Sequence, residues 1–200
     1  MIAAIILAAG TSRRMGHSKA LLRFRGATFL ETILAACAAA GIQRRVVVLG
    51  PDGDKILQNI DLEGVTVVWN RAPETGPIGS LRIGIEAIIN HPVDAVFAWH
   101  VDRPHVPVAT VEALINTFRG TRAQIVVPEY GGRRGHPVLF SRDVFAELLA
   151  ADEAEGARRV VRADPRRVQA VAVEDAAVVE DVNTPAEYEA LIARRDARGT

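Results

Sequence analysis

Between residues 10 and 19 the chain places Gly10, Gly16, Arg13, Arg14 and Lys19 in a small polar loop without a single acid. Glycines let a backbone approach a ligand closely, and successive backbone N–H groups can form a nest for an anion. Positive side chains beside such a nest add charge-assisted bonds to phosphate oxygens. Residues 2–9, just before the loop, are continuously apolar and predict a short strand buried on both faces. The pair reads as a strand feeding a phosphate-binding loop. Its spacing excludes the two commonest loops of that kind. A Walker A loop has four residues between its glycines and a lysine directly after the second; here five residues intervene and the lysine comes three later. The dinucleotide pattern G-x-G-x-x-G is absent.

Asp102 is the second group that could do chemistry. It follows the stretch Asp94 to Trp99, whose centre Ala-Val-Phe-Ala is apolar. In an open α/β sheet an acid at a strand's carboxyl end faces the same crevice as a glycine loop after a neighbouring strand. His100, Asp102 and His105 also have an H-x-D-x-x-H spacing that invites a zinc reading, a metal-dependent hydrolase. That reading lacks a further His or Cys cluster and leaves the glycine loop unexplained. No Ser-His-Asp or Cys-His arrangement stands out.

These groups need a frame, and the pattern supplies one. Strands are expected at residues 2–9, 45–49, 65–69, 94–99, 124–127, 136–140, 168–173 and 178–182. Helices are expected between them: from the capping box Thr28/Glu31 to Gly41, at 53–60, from near Ser80, and at 106–119, 141–151 and 155–162. A last helix opens at the Thr184-Pro185-Ala186-Glu187 capping box and runs through Tyr188, Leu191 and Ile192. Alternation of strand and helix argues for a parallel sheet between helix layers. At 200 residues and 49% hydrophobic, the chain is expected to form a single domain over 1–200 with an ample core. Lys+Arg and Asp+Glu are equal at 24 each, so no nucleic-acid partner is implied. The lone Cys37 excludes an internal disulfide and reads as a small core residue. No apolar run approaches membrane-spanning length and no signal peptide is visible, so a cytoplasmic protein is expected.

The window L-A-A-G-x-S-x-R-M-G-x-x-K, Leu7 to Lys19, resembles the signature of the MobA-like nucleotidyltransferases, and within them most the molybdenum cofactor cytidylyltransferases. Further segments follow in the family's order. Asn70, Gly76, Ser80 and Leu81 match a segment that lines the nucleotide pocket in relatives. Val101-Asp102-Arg103-Pro104 stands where relatives usually have Gly-Asp-Gln-Pro, so Asp and Pro match and Gln does not. Gly132-Arg133-Arg134-Gly135-His136-Pro137-Val138 resembles G-x-R-G-H-P-V, and Asp181-Val182-Asn183-Thr184-Pro185 resembles D-[IV]-[DN]-T-P.

The resemblance implies a three-layer Rossmann-like α/β nucleotidyltransferase fold with a mostly parallel mixed sheet, antiparallel near residues 136–140. It implies Mg²⁺-dependent transfer of CMP from CTP to a molybdopterin-type acceptor, with release of pyrophosphate. Leu7, Ala8, Ala9, Gly10, Ser12, Gly16, Asn70 and Ser80 would bind the nucleotide. Arg14, Lys19 and Asp102 would be catalytic, Arg134 and His136 would contact the acceptor, and Asp102, Asp181 and Asn183 would hold the metal. A molybdoenzyme or its chaperone would receive the product. Three other readings stay open: GTP as donor, a sugar or polyol phosphate as acceptor, and a nucleotide-binding module without catalysis. Arg103 bears on the last two. For Asp181 and Asn183 the alternative role is to help start the final helix.

Overall fold

The computed structural model describes residues 1–12 and 14–198, with side chains to residue 194; Arg13 of the glycine loop lies outside the described residues. In chain order the elements are β1 (Ile2–Ala8), β2 (Arg23–Phe24), β3 (Ala27–Thr28), α1 (Phe29–Ala39), β4 (Arg44–Leu49), α2 (Gly53–Asn59), β5 (Thr66–Trp69) and α3 (Gly76–Glu86). They continue with β6 (Ala95–His100), α4 (Val108–Thr121), β7 (Ile125–Tyr130), β8 (Arg133–Arg134), β9 (Val138–Ser141), α5 (Phe145–Ala150), α6 (Ala157–Ala163), β10 (Val168–Ala172) and α7 (Pro185–Arg198).

The main sheet has the order β10-β7-β9-β6-β1-β4-β5, with β8 paired to β7. Strands β1, β4, β5 and β6 run parallel to their partners, as do β7 and β10, while β9 runs antiparallel between β6 and β7. The expected antiparallel contribution is therefore β9. Side chains alternate across the sheet as the two-residue period requires. Ala4, Ile6, Val47, Leu49, Phe97 and Trp99 pack under α1, α2 and α4 on one face. Ile5, Leu7, Val46, Val48, Val96 and Ala98 pack under α3, α5 and α6 on the other. A smaller cluster of Met15, Phe24, Phe29 and Val182 receives Tyr188, Leu191 and Ile192 of α7 and so ties the last helix to the glycine-loop region. Cys37 is fully buried, and burial pushes its thiol up to about 12.

The sequence signals for helix ends hold. Thr28 Oγ1 accepts from the Glu31 N–H at 3.2 Å, and the Glu31 carboxylate accepts from the Thr28 N–H at 2.7 Å. The Thr184/Glu187 box does the same for α7, at 3.3 and 2.9 Å. Gly41, just after α1, has φ +75°, the left-handed conformation expected there.

Three expectations need correction. The strand expected at 178–182 is instead a 3₁₀ turn, Ala176–Val179, followed by irregular chain. The Asp175 carboxylate accepts the Ala177 N–H at 2.8 Å and starts the turn, which an apolar run alone does not reveal. Helix α3 begins at Gly76 rather than near Ser80, because proline is tolerated in a first helical turn and a 3₁₀ turn, Pro73–Thr75, leads into it. Ser141 caps the short 3₁₀ turn Arg142–Val144, and α5 starts only at Phe145.

Close approach of β1 and β4 at their carboxyl ends shapes the mouth of the sheet. A Cβ on Gly50 would collide with the main chain of Ala9. Gly50→Ala is therefore expected to cost about 1–3 kcal/mol. Gly120, inside α4 with nothing within 4 Å of an added Cβ, gives the opposite sign: Gly120→Ala should stabilise by roughly 0.5–1 kcal/mol. Urea unfolding of both variants checks the pair.

Candidate functional site

The carboxyl ends of the neighbouring parallel strands β1 and β6, with the loop and helix start that follow β5, line one cleft, a cavity of about 570 Å³. The glycine loop forms one wall, contributing Leu7, Ala8, Ala9, Gly10, Ser12 and Arg14. The loop is tightened by Met15 and Gly16 N–H groups that donate to the Ser12 carbonyl at 2.9 and 3.1 Å. Ser12 itself has φ +47°, a conformation few side chains adopt, and its Oγ accepts from the Lys19 N–H at 3.2 Å. Strain of this kind persists where surrounding bonds over-determine it. Arg14 is exposed. Gly16 faces a neighbouring hollow with His17, Leu22 and Lys55 rather than the cleft itself.

At the cleft floor the Lys19 ammonium lies between two acceptors. Nζ is 3.1 Å from Asp102 Oδ2 and 2.6 Å from Asn183 Oδ1. The Lys19 and Asp102 side chains are only 13% and 19% exposed, so this ion pair is partly withdrawn from water. The other carboxylate oxygen, Asp102 Oδ1, is buried and has no hydrogen-bond partner among the described residues. Such an oxygen is costly unless something positive reaches it.

Asp181 does not line the cleft. Its carboxylate is paired with the Arg103 guanidinium at 2.6 Å. Asn70 stands one layer behind the wall, 2% exposed, with Nδ2 donating to Ser80 Oγ at 3.0 Å and Oδ1 accepting from the Ala72 N–H at 2.9 Å. It shapes the loop before α3 while Ser80 reaches the cleft. His136 and Arg134 lie outside the cleft lining. Arg134 is exposed on β8, and the His136 ring packs edge-on against His100, centroids 4.7 Å apart. His100, Glu74, Pro73 and Pro77 complete the walls. His100 is the last residue of β6, and that position is the signal by which it could have been assigned to the cleft.

No group of three or more His, Cys, Asp or Glu residues among the described residues could hold a metal by itself. The zinc reading fails on geometry as well. His100 packs on His136, while His105 Nε2 faces Glu180 at 3.9 Å. Asp102 and Asn183 do fit a hard divalent cation that shares phosphate oxygens: they offer oxygen donors already turned toward a positive charge, and one oxygen is unpartnered.

A glycine loop thus faces an acid and an amide across the strand ends of a mostly parallel sheet. Residues 4–172 match the profile of the MobA-like NTP transferase domain, and the chain belongs to that family. It is 30% identical over 194 residues to nicotine blue oxidoreductase of Paenarthrobacter nicotinovorans, covering 92% of each chain. It is 29% identical to a probable molybdenum cofactor guanylyltransferase of Mycobacterium marinum, covering 96% of this chain and 93% of the other. It is 23% identical to the molybdenum cofactor cytidylyltransferase of Escherichia coli, covering 92% of each. The crystal structure of Rv0371c from Mycobacterium tuberculosis in complex with manganese superposes with a TM-score of 0.82 at 29% identity, covering 96% of this chain and 97% of that one. No helix among the described residues is long and apolar enough to cross a membrane.

Burial holds His100 and His105 below the ordinary histidine range and pushes His136 down to about 2, where the neighbouring His100 and Arg103 add to the effect. All three are neutral in the fold at neutral pH. The unfolded chain takes up their protons near the ordinary value of 6.5, and the fold takes them up only at lower pH, His136 lowest. The fold therefore loses stability as pH drops below that value, by up to about 1.4 kcal/mol per pH unit for each histidine that stays neutral. Thermal unfolding should show a Tm that falls from pH 7 to pH 5, with a shallower fall in His136→Gln.

Proposed function

We propose that the protein transfers CMP from CTP to the terminal phosphate of a molybdopterin-type acceptor and releases pyrophosphate. The observation that carries the reading is the Lys19 ammonium on Asp102 and Asn183, at the foot of the glycine loop. In the proposed reaction an oxygen of the acceptor phosphate attacks the α-phosphorus. The bond from the α-phosphorus to the bridging oxygen breaks, and that oxygen leaves with pyrophosphate. The backbone from Ala8 to Gly16 cradles the triphosphate, and Arg14 and Lys19 neutralise its outer phosphates. Asp102 and Asn183 would hold Mg²⁺, which would supply positive charge to the oxygens of the reacting phosphate. The acceptor phosphate is already ionised at neutral pH, so no strong general base is needed. That agrees with the neutral His100 beside Asp102. Arg134 and His136 serve the acceptor in this reading, and a molybdoenzyme or its chaperone receives the product.

The preference for CTP rests on Ala9, a cleft-lining residue that is only 4% exposed: a methyl at this point of the loop would crowd a purine more than a pyrimidine. The likeness to a probable molybdenum cofactor guanylyltransferase supports GTP as the second reading. The likeness to nicotine blue oxidoreductase supports a third, an oxidoreduction. One set of assays separates them. Pyrophosphate release, measured with Mg²⁺, each triphosphate and molybdopterin cofactor, should be greatest with CTP. A higher kcat/KM for GTP favours the second reading, and turnover of nicotine blue with no pyrophosphate release from any triphosphate favours the third. Lys19→Ala should lower turnover or triphosphate affinity roughly tenfold to more than a hundredfold, the weight of about 1.5–3 kcal/mol for a charge-assisted bond; because it leaves Asp102 unpaired it should also lower the Tm while the protein still folds, so both proteins are compared well below their Tm.

A further inference from the structure

Residue 103 is where the chain departs from the family pattern, and its side chain does not enter the cleft. Arg103 turns away from it and is 7% exposed. Its guanidinium donates to the Val178 carbonyl and pairs with the Asp181 carboxylate. The turn that carries it is fixed by Trp99 Nε1, which donates to the Arg103 carbonyl at 3.1 Å, and by the Arg103 N–H, which donates to the His100 carbonyl at 3.2 Å. Next to it, the Asp102 carbonyl accepts from the Val182 N–H at 3.1 Å. From the other side the His136 N–H donates to the Val178 carbonyl at 2.8 Å.

Residues 178–182 have no ladder of strand bonds to fix their position, since their 3₁₀ turn ends at Val179. Arg103, Asp102 and His136 grip that segment instead. One residue beyond it stands Asn183, whose Oδ1 meets Lys19. The position of that amide oxygen relative to the Asp102 carboxylate is therefore set by the grip on 178–182. An arginine suits the task because its planar fork can serve a carbonyl and a carboxylate together.

We propose that Arg103 and Asp181 form a latch that positions Asn183 against Asp102 and Lys19, so that both are positioning residues for the metal-dependent step. The inference rests on the proposed transfer for its catalytic consequence, and its structural half can be tested without it. Asp181 thereby holds the frame of the site and is not itself a ligand. A latch of this kind affects the metal requirement and turnover more than triphosphate binding, because the glycine loop lies on a different element.

The test uses Arg103→Gln, Asp181→Asn and Asn183→Ala, with the double variant Arg103→Gln/Asn183→Ala. Asp181 is 45% exposed at its side chain, so Asp181→Asn should fold even if a change at buried Arg103 does not. Amide hydrogen exchange should be faster at Val182 and His136 in Arg103→Gln and Asp181→Asn than in wild type. In pyrophosphate release with CTP, Asp181→Asn should raise the Mg²⁺ concentration at half-maximal rate and lower kcat, on the order of tenfold or more. CTP affinity measured without metal should stay at the wild-type value. In the Asn183→Ala background, Arg103→Gln should have little further effect on kcat, the mark of residues acting through one another. Unchanged exchange at Val182 and His136 in both single variants would overturn the latch. So would a full Arg103→Gln effect on kcat in the Asn183→Ala background. Wild-type protein that released no pyrophosphate would sink the functional reading alone, since the exchange measurement would still decide the latch.

Discussion

The site depends on one ammonium group. Lys19 Nζ sits between Asp102 and Asn183, which are separated from it by 83 and 164 residues of chain. Without it, a partly buried carboxylate and an amide oxygen would face each other with nothing positive between them, and the desolvation of Asp102 would go uncompensated. The rest of the structure serves that meeting. Strand β1 delivers the glycine loop, Ser12 Oγ pins the Lys19 backbone, and β6 ends beside Asp102. Helix α7 is held by the Met15–Phe24–Phe29–Val182 cluster, so the segment just before it cannot drift from the loop. A surface ion pair would be worth little. This one orders three distant elements because it is largely shielded from water.

The same arrangement explains how a small cation-filled site can precede a ligand. A lysine facing two oxygens is the protein's own substitute for an external cation. It holds the Asp102 carboxylate and the Asn183 amide oxygen turned toward one point. Pre-organisation of this kind limits what must be reordered when a charged substrate arrives. Under the cleft, the packed His100 and His136 rings are neutral and add no positive charge to compete with Lys19 or Arg14.

Much of this frame was legible in the sequence. Continuous apolar runs at β1, β4 and β6 mark strands with both faces buried, and the two capping boxes fix the starts of α1 and α7 to the residue. Glycine, serine and basic residues at fixed spacing mark the loop that follows β1 and lines the cleft. The run at 178–182 was misleading because valine and alanine serve a 3₁₀ turn as well as a strand, and the deciding group was the Asp175 carboxylate just ahead of it. Asn70 and Asp181 show a second limit. Both belong to the motifs that surround the site, yet one is consumed by bonds to Ser80 and Ala72 and the other by Arg103. Spacing along the chain cannot distinguish a residue that faces a cleft from one that holds its wall. The role of Arg103 was hidden for the same reason: its partners, Val178 and Asp181, are remote in sequence and irregular in structure.

The central claim is that Lys19 holds the place of a cation between Asp102 and Asn183 until triphosphate and metal arrive. A crystal structure of the protein with Mg²⁺ and a non-hydrolysable CTP analogue tests it most directly. The account predicts a metal ion coordinated by Asp102 and Asn183, with the Lys19 ammonium moved onto phosphate oxygens of the analogue. A nucleotide bound in the cleft with Lys19 still bridging Asp102 and Asn183, and the metal held elsewhere, would contradict it.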